Sequence, residues 1–421
     1  MLVSGPMPLP FDALRRDVGY LGRILGDTLI EQEGKGLLDL EEAIRALAKA
    51  RRADVARGEA RRAADELNAI VTGLETGVAE RVARAFTHYF QLVNLAEQHH
   101  RTRRRRDYAR EGKAQPGSLE VVFDALARHA PREQLVALLE HASVELVFTA
   151  HPSEAQRRTV LDKHRRLAAL VARRERAELT PAEADEVDRA IREEVATLWQ
   201  TDEIRQEKPR VGDEVKNVLF YLEQVLFPLI PRFYAALEAA VGRAFGPGIH
   251  VPPLLRFGSW VGADMDGNPN VTPAVAVDTA IAQSARVLDL YAREIDALGE
   301  ALSQSTRRVP ASPLLLASLD RDAALMPELA HALEHATHHE PYRRKMRFVH
   351  ERLHATRSAL VALREAGGAG ALELPPRAYE RPEGFLDDLA LVLDSLRANR
   401  GERAGASRVR ALVRQVETFR F

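Results

Sequence analysis

Apolar residues return every three or four positions along most of this chain, the spacing of a helix with one buried face. Leu14, Val18, Leu21, Leu25 and Leu29 form one such stripe, and Val82, Phe86, Phe90 and Val93 form another. Thr180-Pro181-Ala182-Glu183 predicts a helix start. The threonine can cap, proline fits the first helical position, and glutamate three residues after the cap closes a capping box. Val187, Ile191, Val195 and Leu198 then supply the apolar stripe of that helix. Val215, Leu219, Leu222 and Leu226 do the same after Asp213, with Pro228 and Pro231 predicted to kink or end the helix. Leu288, Tyr291, Ile295, Leu298 and Leu302 keep a three-four spacing suited to packing on a second long helix.

Strand signals are few. Short apolar runs predict strands at about Leu146 to Thr149 and Leu254 to Val261. Loops are predicted at Glu111 to Gly117, Pro247 to Pro253 and Ala366 to Ala371. The expected fold is therefore mainly α-helical, without an internal repeat. Two strands among a dozen or so helices close neither a sheet nor a barrel. Either something completes the fold, or it is a helical remnant.

Composition narrows the class. The 421 residues suffice for two or three domains. Three regions are expected: 1–140, helical; 141–275, with both strands; and 276–421, helical again. With 60 basic against 61 acidic residues, global charge favours neither nucleic acid nor a membrane surface as partner. Cysteine is absent, which excludes disulfides, thiolate metal sites and a cysteine nucleophile. No run of about 18 apolar residues and no signal-peptide pattern stands out. A soluble, cytoplasmic protein is the expectation.

Two segments carry candidate chemistry. Val147-Phe148-Thr149-Ala150-His151-Pro152 is an apolar run that stops at polar residues, as a strand does when it delivers side chains to a site at its carboxyl end. Proline pushes the residue before it toward extended geometry, so His151 is expected to project from the strand end. Its imidazole could move a proton near neutral pH, or merely bond a loop. The second segment runs from Phe257 to Pro269 through Trp260. Its Asp264-x-Asp266-x-Asn268 spacing suggests a calcium loop, but Pro269 stands where that loop needs glycine and Val275 where it needs the bidentate acid. Asp, Gly and Asn here equally suit a tight turn.

Taken together, these segments resemble the phosphoenolpyruvate carboxylase family. Thr149-Ala150-His151-Pro152, followed by Arg157-Arg158, is similar to one family signature, and Phe257-x-Ser259-Trp260-x-Gly262-x-Asp264-x-Asp266-Gly267-Asn268-Pro269 to another. Asn94 to Arg106, with its Arg103-Arg104-Arg105-Arg106 run, and Trp199 to Arg205 also match, as does Leu14 to Gly34. Gln206 stands where the family usually has a second arginine. Read without the family, Arg101 to Arg106 is a candidate nucleic-acid patch, but no aromatic interleaving supports one, and a salt-bridged helix face suits it better. His99 and His100, being adjacent, point in different directions on a helix and make a poor metal pair.

The resemblance implies a helix-rich (β/α)8 barrel that turns bicarbonate and phosphoenolpyruvate into oxaloacetate and phosphate with Mg2+ or Mn2+. By resemblance, His151 is the essential catalytic residue, Trp260 lines the carbon dioxide pocket, and Arg157 and Arg158 match an anion site for an activator. The sequence ends near the junction where the family continues into a Leu-Asp-Ile-Arg-Gln strand, and Arg420 replaces a glycine usual there. The metal ligands and phosphate-binding arginines lie beyond that point in the family. The expectation is an N-terminal portion, inactive alone, whose partners are a C-terminal half and further copies of itself. The alternative is a non-catalytic helical regulatory or interaction protein derived from the enzyme.

Overall fold

The computed structural model describes residues 11–52, 57–149, 157–176, 178–203, 210–266, 268–368 and 370–421. In chain order these hold α1 (Asp12–Glu33), α2 (Lys35–Arg52), α3 (Arg57–Thr72), α4 (Thr76–Arg110), α5 (Leu119–His129), α6 (Arg132–His141) and β1 (Val144–Phe148). Next come α7 (Arg158–Arg174), α8 (Pro181–Trp199), α9 (Val211–Tyr221), α10 (Phe227–Phe245) and β2 (Leu255–Ser259). The remainder is α11 (Pro273–Ala301), α12 (Pro313–Leu325), α13 (Pro327–Thr337), α14 (Pro341–Glu365), α15 (Pro382–Ala398) and α16 (Ala406–Phe419). The protein is mainly helical. Two compact units divide it, residues 1–115 with 154–207 and residues 116–153 with 208–421.

In the first unit, Leu21, Leu25 and Leu29 of α1 pack with Leu92 and Leu95 of α4, Leu167 of α7, and Val187, Ile191, Val195 and Leu198 of α8. The capping box forms as expected. Thr180 Oγ1 accepts from Glu183 N at 3.3 Å, and Glu183 Oε2 accepts from Thr180 N at 2.8 Å. The stripe expected on α4 is displaced: Phe90 is 59% exposed, and the buried face runs through Val82, Ala85, His88, Leu92, Leu95 and Ala96. Small alanines let neighbouring helices approach closely, a size effect that apolar periodicity does not weigh. Phe86 still packs partly buried against this core, and the exposed Phe90 stacks on it, with ring centres 6.5 Å apart.

The second unit departs from expectation at its prolines. The chain stays helical from Val211 to Phe245, with a wide π turn at Leu222–Leu226 and Pro231 inside α10. Pro231 has no N–H to give the Phe227 carbonyl four residues earlier. The buried Gln415 of α16 makes up the loss, its Nε2 donating to Phe227 O at 2.9 Å. This helical stretch is long and apolar enough to cross a membrane by length and composition. Within it, Phe227, Ile230, Tyr234, Leu237 and Val241 are buried in the unit.

β1 and β2 pair in parallel, from Val144 opposite Leu255 to Phe148 opposite Ser259. Tyr234 fixes the start of β2, its hydroxyl accepting from the N–H groups of Leu254 and Leu255 at 2.8 and 3.0 Å. Phe257 stacks on Phe419 of α16 at 5.4 Å. β1 is different: Val144, Leu146 and Val147 are 48%, 50% and 48% exposed.

A buried ionic cluster joins α12, α14 and α15. Lys345 Nζ lies 2.7 Å from Asp322 Oδ2 and 2.6 Å from Asp388 Oδ1, while Asp388 Oδ2 accepts from Arg352 at 2.8 Å and from the Tyr379 hydroxyl at 2.6 Å. Burial pushes the Asp322 carboxyl up, against the pull of Lys345. Removing the ammonium leaves Asp322 buried without its counter-charge. Lys345→Met is therefore expected to cost about 3–5 kcal/mol in denaturant unfolding; a loss below about 1 kcal/mol would contradict this role for the cluster.

Candidate functional site

The strand pair brings two chain ends together. Trp260 N donates to Phe148 O at 2.7 Å, one step beyond the last paired residues, so both strands deliver their following residues to the same end of the sheet. Trp260 then opens a turn in which Ala263 N and Asp264 N both donate to its carbonyl at 3.0 Å. Gly262 takes φ +77°, and a Cβ there would lie 2.3 Å from Thr279 Oγ1 of α11. Only glycine suits both the left-handed backbone and that close approach. Asn268 and Thr272 shape the segment that follows. Asn270 N donates to Asn268 Oδ1 at 3.0 Å, and Thr272 caps α11 by accepting from Val275 N at 3.3 Å.

This turn forms one wall of an open cleft of about 1590 Å³ within the second unit. The Trp260 side of the wall is unusual, since this large apolar residue is 53% exposed. Further round, the charges are closed into pairs. Arg364 clamps Asp278 at 2.6 and 2.9 Å and holds its carboxyl below the ordinary range. Arg357 lies 2.5 Å from Asp289, and Arg286 and Arg293 bind Glu223, keeping it ionised despite its burial. Carboxylates already neutralised by guanidinium groups make a poor cradle for a divalent cation. No group of three or more His, Asp or Glu side chains is gathered for a metal among the described residues.

The expected site residues fare unequally. Trp260 lies on the cleft wall. His151 lies outside the described residues, two positions beyond Thr149 at the end of β1. Arg157 and Arg158 belong to the first unit, at the start of α7. Arg157 Nη1 donates to Asp202 O at 3.1 Å, which ties the two motifs together, and Arg158 lies 3.9 Å from Asp162. Glu203 Oε1 lies 3.0 Å from Nδ1 of the buried His88. His99 and His100 meet the two members of one ion pair, the first lying 2.8 Å from Glu175 and the second 3.3 Å from Arg103. Thr279 and the Asp278–Arg364 pair went unnoticed in the sequence, because residues 86 apart share no periodicity.

The protein is thus mainly helical, with one parallel strand pair that ends at an indole-walled cleft. The family profile of phosphoenolpyruvate carboxylase matches residues 14–421, and the chain belongs to that family. It is 40% identical over 413 residues to the phosphoenolpyruvate carboxylase of Xanthomonas oryzae pv. oryzae and 38% identical over 413 residues to that of Roseiflexus castenholzii. Each alignment covers 97% of this chain but 43% of the relative. The chain from Azorhizobium caulinodans with the same name is 37% identical over 417 residues, with the same coverage. The chain thus spans less than half the length of these relatives.

The turn geometry yields a direct test. With Trp199→Phe as background, Trp260 is the sole indole. Gly262→Ala in that background is expected to shift Trp260 emission and cost about 1–3 kcal/mol of stability. Gly36→Ala, in α2 with nothing within 4 Å of the added carbon, should leave the emission unchanged and should not lower stability. Unaltered emission and melting in Gly262→Ala would refute the constraint.

Proposed function

We propose that the chain is the N-terminal portion of a phosphoenolpyruvate carboxylase, which joins bicarbonate to phosphoenolpyruvate and releases oxaloacetate and phosphate in the cytoplasm. The observation that carries this reading is the indole of Trp260, held half-exposed at the carboxyl end of a parallel strand pair. Carbon dioxide is a weakly hydrated, quadrupolar molecule, and an apolar wall retains it where charged groups would favour water. His151, two residues after Thr149 in the sequence, is the proton acceptor in this scheme.

Bicarbonate oxygen takes the phosphoryl group, breaking the phosphorus–oxygen bond to the enolate and forming carboxyphosphate. His151 accepts the carboxyphosphate proton as the bond between carbon and the bridging oxygen breaks, giving carbon dioxide and phosphate. The enolate carbon then attacks carbon dioxide beside Trp260. The family's Mg2+ or Mn2+ would stabilise the enolate charge. The described acids of this chain gather no group for it, and the resemblance would place its ligands in the remainder of the complete enzyme. Arg157 and Arg158 suit an anion site at the start of α7, where guanidinium groups and helix N–H groups share one field.

The exposed face of β1 supports the proposed need for a complement. Parallel strands are ordinarily covered on both faces, yet Val144, Leu146 and Val147 are about half exposed. A C-terminal half would add the further strands of a (β/α)8 barrel, and the complete protein would assemble with copies of itself. An interaction protein derived from the enzyme would present the same face, and activity separates the two.

The 421 residues alone are expected to form no measurable oxaloacetate. Mixed with a separately produced C-terminal half of a relative, they should form it, and His151→Asn should lower the restored rate by about 10²–10⁴-fold. A stable but inactive mixture, or full activity in His151→Asn, would overturn this function and leave the regulatory reading.

A further inference from the structure

The basic run from Arg101 to Arg106 has no part in the carboxylation scheme, yet some of it lines a separate cleft of about 870 Å³ within the first unit. Its walls are the start of α1, the second half of α4 and the end of α7. The charges there are unevenly paired. Arg103 is closed by Asp17 at 2.7 Å and Glu175 at 2.5 Å. Arg174 lies 3.8 Å over the Tyr20 ring and bonds Asp188 at 2.9 Å. Arg110 is 3.5 Å from Asp107. Arg16 and Arg104 have no carboxylate partner among the described residues, and Arg104 reaches the Tyr108 hydroxyl at 3.2 Å.

His100 adds a neutral donor. It is more than nine-tenths buried on the same wall, with Nδ1 3.3 Å from Arg103 Nη1. A guanidinium can only donate, so Nδ1 accepts and the ring proton sits on Nε2. Among the described residues only the Nδ1 atom of this ring has a hydrogen-bond partner. Burial, with Arg103 and Arg104 nearby, also holds the ring below its usual pKa, so it stays uncharged near neutrality.

We propose that this cleft binds a small doubly charged oxyanion, a phosphate monoester or a dicarboxylate, gripped by Arg16, Arg104 and the Nε2–H of His100. Guanidinium groups match the planar geometry of such oxyanions. Asp17, Asp107, Glu111 and Glu175 around the cleft would repel a long phosphate backbone, which selects a compact anion over nucleic acid.

Thermal unfolding of the full chain tests this, with inorganic phosphate, glycerol phosphate and succinate each compared against sodium chloride at equal ionic strength. At least one is expected to raise Tm saturably. A response to the phosphates alone assigns a phosphate ligand, and a response to succinate alone assigns a dicarboxylate. The double variant R16Q/R104Q should weaken the response at least about tenfold, the loss expected for charge-assisted bonds. His100→Leu should weaken it too, whereas His100→Gln, which keeps an N–H donor, should retain it. R157Q/R158Q removes any contribution from the anion site proposed at α7, and adding R16Q/R104Q to that background should still weaken the response that remains. No saturable response to any of the three anions, or an undiminished response in R16Q/R104Q, would overturn the proposal.

Discussion

One backbone hydrogen bond governs the candidate site: Trp260 N–H to the Phe148 carbonyl. It extends a parallel ladder of five residue pairs and sets the indole beside the end of the neighbouring strand. Everything near it maintains that register. Tyr234 anchors the entry of β2, Phe257 stacks on Phe419, and Gly262 lets the turn after Trp260 close onto Thr279. A one-residue slip in such a pair would send every side chain to the opposite face. The site therefore rests on packing by α10, α11 and α16.

Electrostatics divides the molecule by a similar logic. In the large cleft the arginines meet carboxylates nearly one for one, so its field is weak and its apolar wall stands out. In the cleft of the first unit two arginines and an imidazole N–H lack such partners, and an anion can supply what the protein does not. The buried Lys345 cluster is a third case, in which every charge is met inside the protein. Pairing, more than the count of charges, separates structural ions from those available to a ligand.

Local physics made much of this legible from sequence. The stripes of α1 and α8 appear where the 3.6-residue period places them, and the Thr180–Glu183 box forms because all its atoms lie within one turn. The two strands could be read as short apolar runs, and Trp260 as an aromatic at a strand end. What escaped depends on distant residues. Pro231 stays inside a helix because Gln415 reaches its orphaned carbonyl from 188 residues beyond Phe227. The buried face of α4 turned on the small size of Ala85 and Ala96, and the arginine clamps of the cleft on pairs with no common spacing.

The absence of cysteine allows a direct measurement of the central claim, that His151 and Trp260 meet at one strand end. His151→Cys with Trp260→Cys would be treated with a short bifunctional maleimide, beside a Phe148→Cys with Trp260→Cys control at backbones already hydrogen-bonded. The account predicts efficient cross-linking within one chain for both pairs, with native melting retained. Cross-linking of the control pair but not of positions 151 and 260 would contradict it.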